Sequence, residues 1–274
     1  MRGRVLSVAG SDSGGGAGIQ ADIKTIQALG GYAATAITAL TAQDTYGVQA
    51  IFPVPPDFVR AQMRAVLDDI GADAIKTGML GEAATVLAVC EVLSAYKAIP
   101  LVVDPVMVAK GGAALLAAAA LAVLRARLLP LATLLTPNVP EAEALLGHAI
   151  PDTDAQLRAA LALRELGPRA VLLKGGHLPG DEVVDVLASE SGVVLFRADR
   201  IATRHTHGTG CTLASAIATG LAQGMALPDA VARARAFVRA AMLAAPGFGG
   251  GHGPLNHAVT LDPALLAVQP SSRI

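Results

Sequence analysis

Short runs of β-branched residues and leucine recur along this chain, separated by longer helical patterns, and that alternation limits the possible folds more than any other feature. The pattern predicts buried strands over 5–9, 34–39, 74–77, 101–104, 134–136 and 171–174. Strands separated by helices require crossovers, so the expected fold class is α/β, with a largely parallel sheet covered on both faces. Helices are expected over 18–29, 57–71, 82–95, 118–129, 141–146, 154–166, 212–223 and 228–243. Between 57 and 71 the apolar set Val59, Met63, Val66, Leu67 and Ile70 keeps helical spacing, with Gly71 as a stop. Beyond Lys174 the runs 183–187 and 193–197 read as an antiparallel ribbon at a sheet edge. No repeat or linker divides the chain, so residues 1–274 are expected to form one domain with a frayed end over 269–274.

With 21 Lys and Arg against 22 Asp and Glu, the net charge is -1 and no global field favours nucleic acid or anionic lipid. Three Tyr, five Phe and no Trp leave few base-stacking platforms. The apolar run 113–124 is mostly alanine and falls short of the roughly 17–25 residues of a membrane span, so it is expected to be a buried helix. Gly10 arrives too early for the apolar stretch of a signal peptide, and Cys90 and Cys211 form no C-x-x-C pair. A cytoplasmic protein without membrane or nucleic-acid partners is expected.

Two glycine-rich segments carry the first functional signals. The predicted strand 5–9 runs into Gly10-Ser11-Asp12-Ser13-Gly14-Gly15-Gly16-Ala17-Gly18, at a strand's carboxyl end, where backbone N–H groups can approach an anion or polar ligand. The segment is neither a Walker A motif nor a clean dinucleotide fingerprint, and a tight structural turn explains it equally well. Asp22 is expected to face the same cleft, or else to favour the first helical turn by charge.

The second segment, Thr206-His207-Gly208-Thr209-Gly210-Cys211-Thr212, precedes a small-residue helix. A glycine turn entering a helix presents unpaired N–H groups and the positive end of the helix dipole. That dipole is expected to lower the Cys211 thiol pKa towards neutrality and make a proton-accepting thiolate available. The alternative is a small buried cysteine at a helix start. His205, His207 and Cys211 have zinc-ligating chemistry without a zinc spacing, and a Cys-His hydrolase would leave the acidic clusters without a role.

Those clusters fall at predicted strand ends. Asp104 in Asp104-Pro105-Val106-Met107 can hold Mg²⁺ or its waters. Asn138 and Glu141, three apart at a helix start, fit either a metal and phosphate site or a capping box. Lys174-Gly175-Gly176-His177 suits polyphosphate or a plain turn.

Together with Thr38-Ala39-Leu40-Thr41-Ala42-Gln43-Asp44-Thr45 and Lys76-Thr77-Gly78-Met79-Leu80, these motifs occur in the order seen in hydroxymethylpyrimidine/phosphomethylpyrimidine kinases, which the chain resembles almost throughout, through Gly253-Pro254-Leu255-Asn256-His257. The resemblance implies a ribokinase-like, three-layer α/β/α sandwich that phosphorylates 4-amino-5-hydroxymethyl-2-methylpyrimidine and then its monophosphate. It implies ATP as co-substrate, Mg²⁺, and a homodimer. Cys211 with Gly208, Thr209 and Gly210 is implied to be catalytic, and Asp104 and Glu141 to lie at the metal. Lys174, Asn138, Thr206 and His207 are implied to bind nucleotide or phosphate, and Gly10, Asp22, Gln43, Met79, Val106 and Met107 to bind substrate. The amide of Gln43 offers the donor and acceptor that an aminopyrimidine edge needs, and Met79, Val106 and Met107 offer apolar walls for a flat ring. One departure is His252, with glycines, where relatives often carry a lysine. A pyridoxal kinase or a non-catalytic vitamin-binding protein would use the same pocket.

Overall fold

The computed structural model describes residues 2–108, 112 and 115–261. The expected fraying over 269–274 and part of the alanine-rich run lie outside the described residues. Strand β1 (Arg4–Asp12) leads to helix α1 (Gly18–Ala28), and β2 (Tyr32–Gln43) turns back through β3 (Val48–Pro53). There follow α2 (Pro56–Ala65), β4 (Ala74–Thr77), α3 (Ala83–Leu93), β5 (Leu101–Val103), α4 (Ala118–Val123), β6 (Leu134–Leu135), α5 (Val139–Leu146), α6 (Thr153–Arg164) and β7 (Val171–Leu173). A ribbon of β8 (Glu182–Ser189) and β9 (Gly192–Asp199) precedes α7 (Thr209–Ala222) and α8 (Leu227–Leu243).

The nine strands among the described residues form one sheet in the order β3-β2-β1-β4-β5-β6-β7-β8-β9. From β2 to β7 the pairing is parallel, while β3 and the β8–β9 ribbon add antiparallel edges. Alternate strand residues point to opposite faces. Leu6, Val8, Ile75, Val103, Leu135 and Leu173 pack on the face covered by α2 to α6. Val5, Ala74, Val102, Leu134 and Leu172 pack against α1, α7 and α8. This is the α/β/α sandwich that the sequence resemblance implies.

The differences from expectation are local. Strand β3 carries no strong signal because five of its six residues are exposed, so no apolar alternation marks it. Strand β1 runs three residues further than expected, through Gly10 to Asp12, because its pairing with β2 resumes at Ser11 and Asp12 after an irregularity. The long helices expected over 57–71 and 118–129 instead loosen into π-helical turns at Val66–Ile70 and Leu124–Leu128, a change that hydrophobic periodicity does not register. Gly71 ends the first of these with φ at +73°, as a stop glycine should.

Candidate active site

Strand β1 lies between β2 and β4, so the chain winds outwards from it in both directions, and the crevice at such a switch opens beyond the strands' carboxyl ends. A cleft of about 1230 Å³ opens there. Its lining includes Gly10, Gln43, Met79, Val106 and Met107 at one end, Asp104, Asn138, Glu141 and Lys174 midway, and Thr206 to Cys211 along one wall.

The two glycine-rich segments interlock. Asp12 accepts the backbone N–H groups of Gly14, Gly16 and Ala17 at 2.8, 3.1 and 2.8 Å, which folds the first segment around its carboxylate. The same carboxylate meets His207 Nε2 at 2.8 Å, tying that loop to the second segment. Burial opposes ionisation of Asp12, but the His207 hydrogen bond and the loop N–H groups outweigh it and hold the carboxyl below its usual range. A side chain on Gly16 would strike the His207 ring, and one on Gly208 would strike the Gly16 carbonyl, so close approach explains both glycines.

Gly208, with φ at +84°, caps the start of α7. The N–H groups of Gly210 and Cys211 have no acceptor among the described residues and stand at the helix's positive end. Cys211 itself departs from expectation. Burial pushes its thiol up to about 12; Lys76 and the Gly18 N–H pull downwards, but Asp104 and Asp22 add to the rise. Desolvation and two carboxylates thus outweigh the helix start, and the resting group is a thiol.

Lys174 Nζ lies 3.2 Å from Asp104 Oδ1, with Thr136 Oγ1 3.3 Å from the same oxygen. Burial works against the Lys174 charge, but Asp104, Glu141 and Cys211 outweigh it and raise its pKa. Gly210 faces this pair, and a Cβ there would come into ordinary van der Waals contact with both groups. Asn138 and Glu141 form a complete capping box, with Glu141 N–H donating to Asn138 Oδ1 at 2.9 Å and Asn138 N–H donating to Glu141 Oε2 at 2.8 Å. Burial raises the Glu141 carboxyl to about 7; Lys174 opposes the shift and Asp104 reinforces it.

Of the expected site residues, Asp22 alone lies outside the cleft. It is fully buried beneath the first loop, accepting hydrogen bonds from Ser7 Oγ at 2.5 Å, Ser215 Oγ at 2.6 Å and Lys76 Nζ at 2.9 Å. Its position in the first turns of α1 points it under the sheet's end, where packing leaves no path to a ligand. His207, expected among phosphate ligands, instead has Nε2 on Asp12 and lies 3.4 Å from Gln43 Nε2, at the Gln43 end of the cleft. His252 is not part of the lining; its Nδ1 lies 3.2 Å from the Arg204 carbonyl. Asp12 and Lys76 were missed. The sequence signal for Lys76 was a charge inside the apolar strand run 74–77, which demands a buried partner.

The family profile described as phosphomethylpyrimidine kinase matches residues 12–256. The hydroxymethylpyrimidine/phosphomethylpyrimidine kinase of Streptomyces coelicolor is 53% identical over 92% of this chain and 93% of its own length. The thiamine biosynthesis bifunctional protein ThiED of Geobacter sulfurreducens is 54% identical over 95% of this chain, which spans only 53% of that longer protein. Among solved structures, the ADP complex of Bacillus subtilis pyridoxal kinase superposes with a TM-score of 0.87 at 35% identity, covering 94% of this chain and 98% of that one.

Proposed function

The chain belongs to the phosphomethylpyrimidine kinase family, and from that membership we propose that it transfers the terminal phosphoryl group of ATP to the hydroxymethyl group of 4-amino-5-hydroxymethyl-2-methylpyrimidine, and then to the resulting monophosphate, in thiamine biosynthesis. It is a phosphotransferase. The observation that carries the reading is the convergence of Lys174, the free N–H groups of α7 and Cys211 midway along a cleft that ends at Gln43.

Phosphoryl transfer asks a protein mainly for positioning and charge neutralisation. The Gln43 amide and the apolar walls of Met79, Val106 and Met107 hold the ring, so that its hydroxymethyl group points towards α7. Lys174 and the N–H groups of Gly210 and Cys211 stabilise the oxygens of the group in flight. Cys211 accepts the hydroxyl proton after losing its own, which its raised pKa makes infrequent at neutral pH. Much of the rate therefore rests on the cations and N–H groups.

Two carboxylates, Asp104 and Glu141, border the phosphate path and suit Mg²⁺, which takes one or two protein carboxylates together with phosphate oxygens and water. No three such side chains converge as a metal site among the described residues, in keeping with that shared coordination. Glu141, whose carboxyl burial raises above its usual range, is drawn towards its ionised state when a cation approaches. Bound Mg²⁺ would neutralise phosphate charge.

The 53% identity to a pyrimidine kinase, against 35% to the pyridoxal kinase, favours the pyrimidine. We place the enzyme in the cytoplasm, as both cysteines are free, and treat residues 1–274 as one catalytic unit. No helix among the described residues is long and apolar enough to cross a membrane. A homodimer would cover Tyr46, Phe52 and Phe58, large apolar side chains exposed on or beside β3. An ATP-consumption assay across the hydroxymethylpyrimidine, its monophosphate, pyridoxal and pyridoxamine tests the reading. Turnover confined to the pyridoxal compounds would replace it with pyridoxal kinase, and no turnover would leave a binding protein.

A further inference from the structure

Gln43 sits between two groups whose hydrogen-bonding roles are fixed by the rest of the molecule. On one side lies His207 Nε2, 2.8 Å from Asp12 Oδ2. Asp12 accepts three backbone N–H groups, so its carboxylate is an acceptor and the shared proton belongs to His207 Nε2. On the other side lies Thr41 Oγ1, whose single proton goes to the Ser11 carbonyl at 2.9 Å, leaving its oxygen to accept.

A primary amide has the same shape in two orientations, and only its neighbours choose between them. With Gln43 Nε2 towards His207, two donors face each other at 3.4 Å, and Thr41 would need a second proton to satisfy Gln43 Oε1 at 3.1 Å. The opposite orientation removes both conflicts: Nε2 donates to Thr41, and Oε1 faces the single His207 Nε2–H, which goes mainly to Asp12 at 2.8 Å and reaches Gln43 at 3.4 Å as the weaker branch of a shared hydrogen bond.

We propose that the buried Asp12–His207 pair is a specificity-determining device that locks the Gln43 amide in this second orientation, so that the cleft reads one fixed order of donors and acceptors on a heteroaromatic ring. The inference rests on the kinase reading above and names positioning residues for it. An aminopyrimidine presents a ring-nitrogen acceptor beside an amine donor, and only an amide held in register answers both. Pyridoxal lacks that amine, and an amide free to rotate would lose little on it. Fixing the amide therefore separates the two rings without a clash.

The test compares His207→Leu, which removes the N–H, with His207→Gln, whose side-chain N–H₂ reaches a similar position, by calorimetric binding of hydroxymethylpyrimidine and pyridoxal. In the leucine variant the pyrimidine Kd should rise about tenfold, the worth of one buried hydrogen bond, while the pyridoxal Kd changes by less than about twofold. The glutamine variant should restore the pyrimidine preference. At saturating pyrimidine, kcat should change much less than KM. Equal weakening towards both rings, or no rescue by glutamine, overturns the role of His207 and leaves the kinase reading standing. A wild-type protein that binds neither ring overturns the kinase reading and this inference with it. If the leucine variant fails to fold, ¹⁵N NMR of the ligand-free wild type decides: a protonated His207 Nε2 at pH 8 supports the lock, and an unprotonated one overturns it.

Discussion

Two lysine–aspartate pairs lie at the carboxyl end of the same sheet, and they differ in what surrounds them. Lys76 and Asp22 are both fully buried, at 0% side-chain exposure, and Ser7 and Ser215 occupy the remaining capacity of the carboxylate. Lys174 and Asp104, at 15% and 3%, meet at a longer 3.2 Å and border the cleft. The first pair has no opening to a ligand and holds β4 against α1 and α7. The second is loosely satisfied, and its cation can turn to an incoming phosphate. The same two residue types are structural in one place and available for chemistry in the other, and the difference lies in how completely the carboxylate is satisfied and whether the cation meets solvent. Cys211 lies within electrostatic reach of both lysines.

The sharpest break of this comparison is Lys76→Met. It leaves a buried carboxylate without its cation and should cost about 3–5 kcal/mol by chemical denaturation, much of it recovered when Asp22→Leu is added. A single variant as stable as the wild type would mean that the sealed pair holds nothing together. Lys174→Met should do the converse, lowering turnover about 10²–10³-fold with stability changed by no more than about 1 kcal/mol. Loss of stability with turnover intact would exchange the two roles.

Cys211 tests the ground between the pairs. Its folded pKa of about 12 lies above the unfolded thiol value, so the stability it supports is present below about pH 8.5 and is lost as pH rises towards 12. At pH 10 the loss should be about 2 kcal/mol, and Cys211→Ala should remove that alkaline sensitivity. Below that range, turnover should climb with pH if the thiolate is the proton acceptor; a flat profile would leave catalysis to Lys174 and the α7 N–H groups. The smallest expected effect is Glu141→Gln. Glutamine preserves a capping box, so the melting temperature should hold, while the Mg²⁺ needed for half-maximal rate should rise about tenfold. A lower melting temperature with unchanged Mg²⁺ dependence would make Glu141 a cap only.

Much of the cleft was legible because its backbone requirements are written in residue types. Gly208 must take a positive φ, Gly16 must let His207 approach, and Asn138 with Glu141 announces a helix start. These are local demands, and a motif carries them. Asp22 misled for the opposite reason: as an acid early in a helix beside a glycine loop it has the local signature of a ligand, while its actual partners Lys76 and Ser215 come from β4 and α7. Strand β3 was invisible because an exposed edge strand needs no apolar alternation.

By itself, the sequence determined the alternation of strands and helices, the points where the backbone must turn or approach closely, and the set of side chains brought to one end of the sheet, since each depends on neighbours in the chain or on apolar periodicity. Tertiary structure alone decided which acids are sealed and which are open, that Cys211 rests as a thiol, and that His207, held by Asp12, faces Gln43. Those outcomes depend on desolvation and on charges and donors from distant segments. A proton's position is set by everything within a few ångströms, and the groups that shift Cys211 come from Lys76, Asp104, Asp22 and Gly18, all remote along the chain.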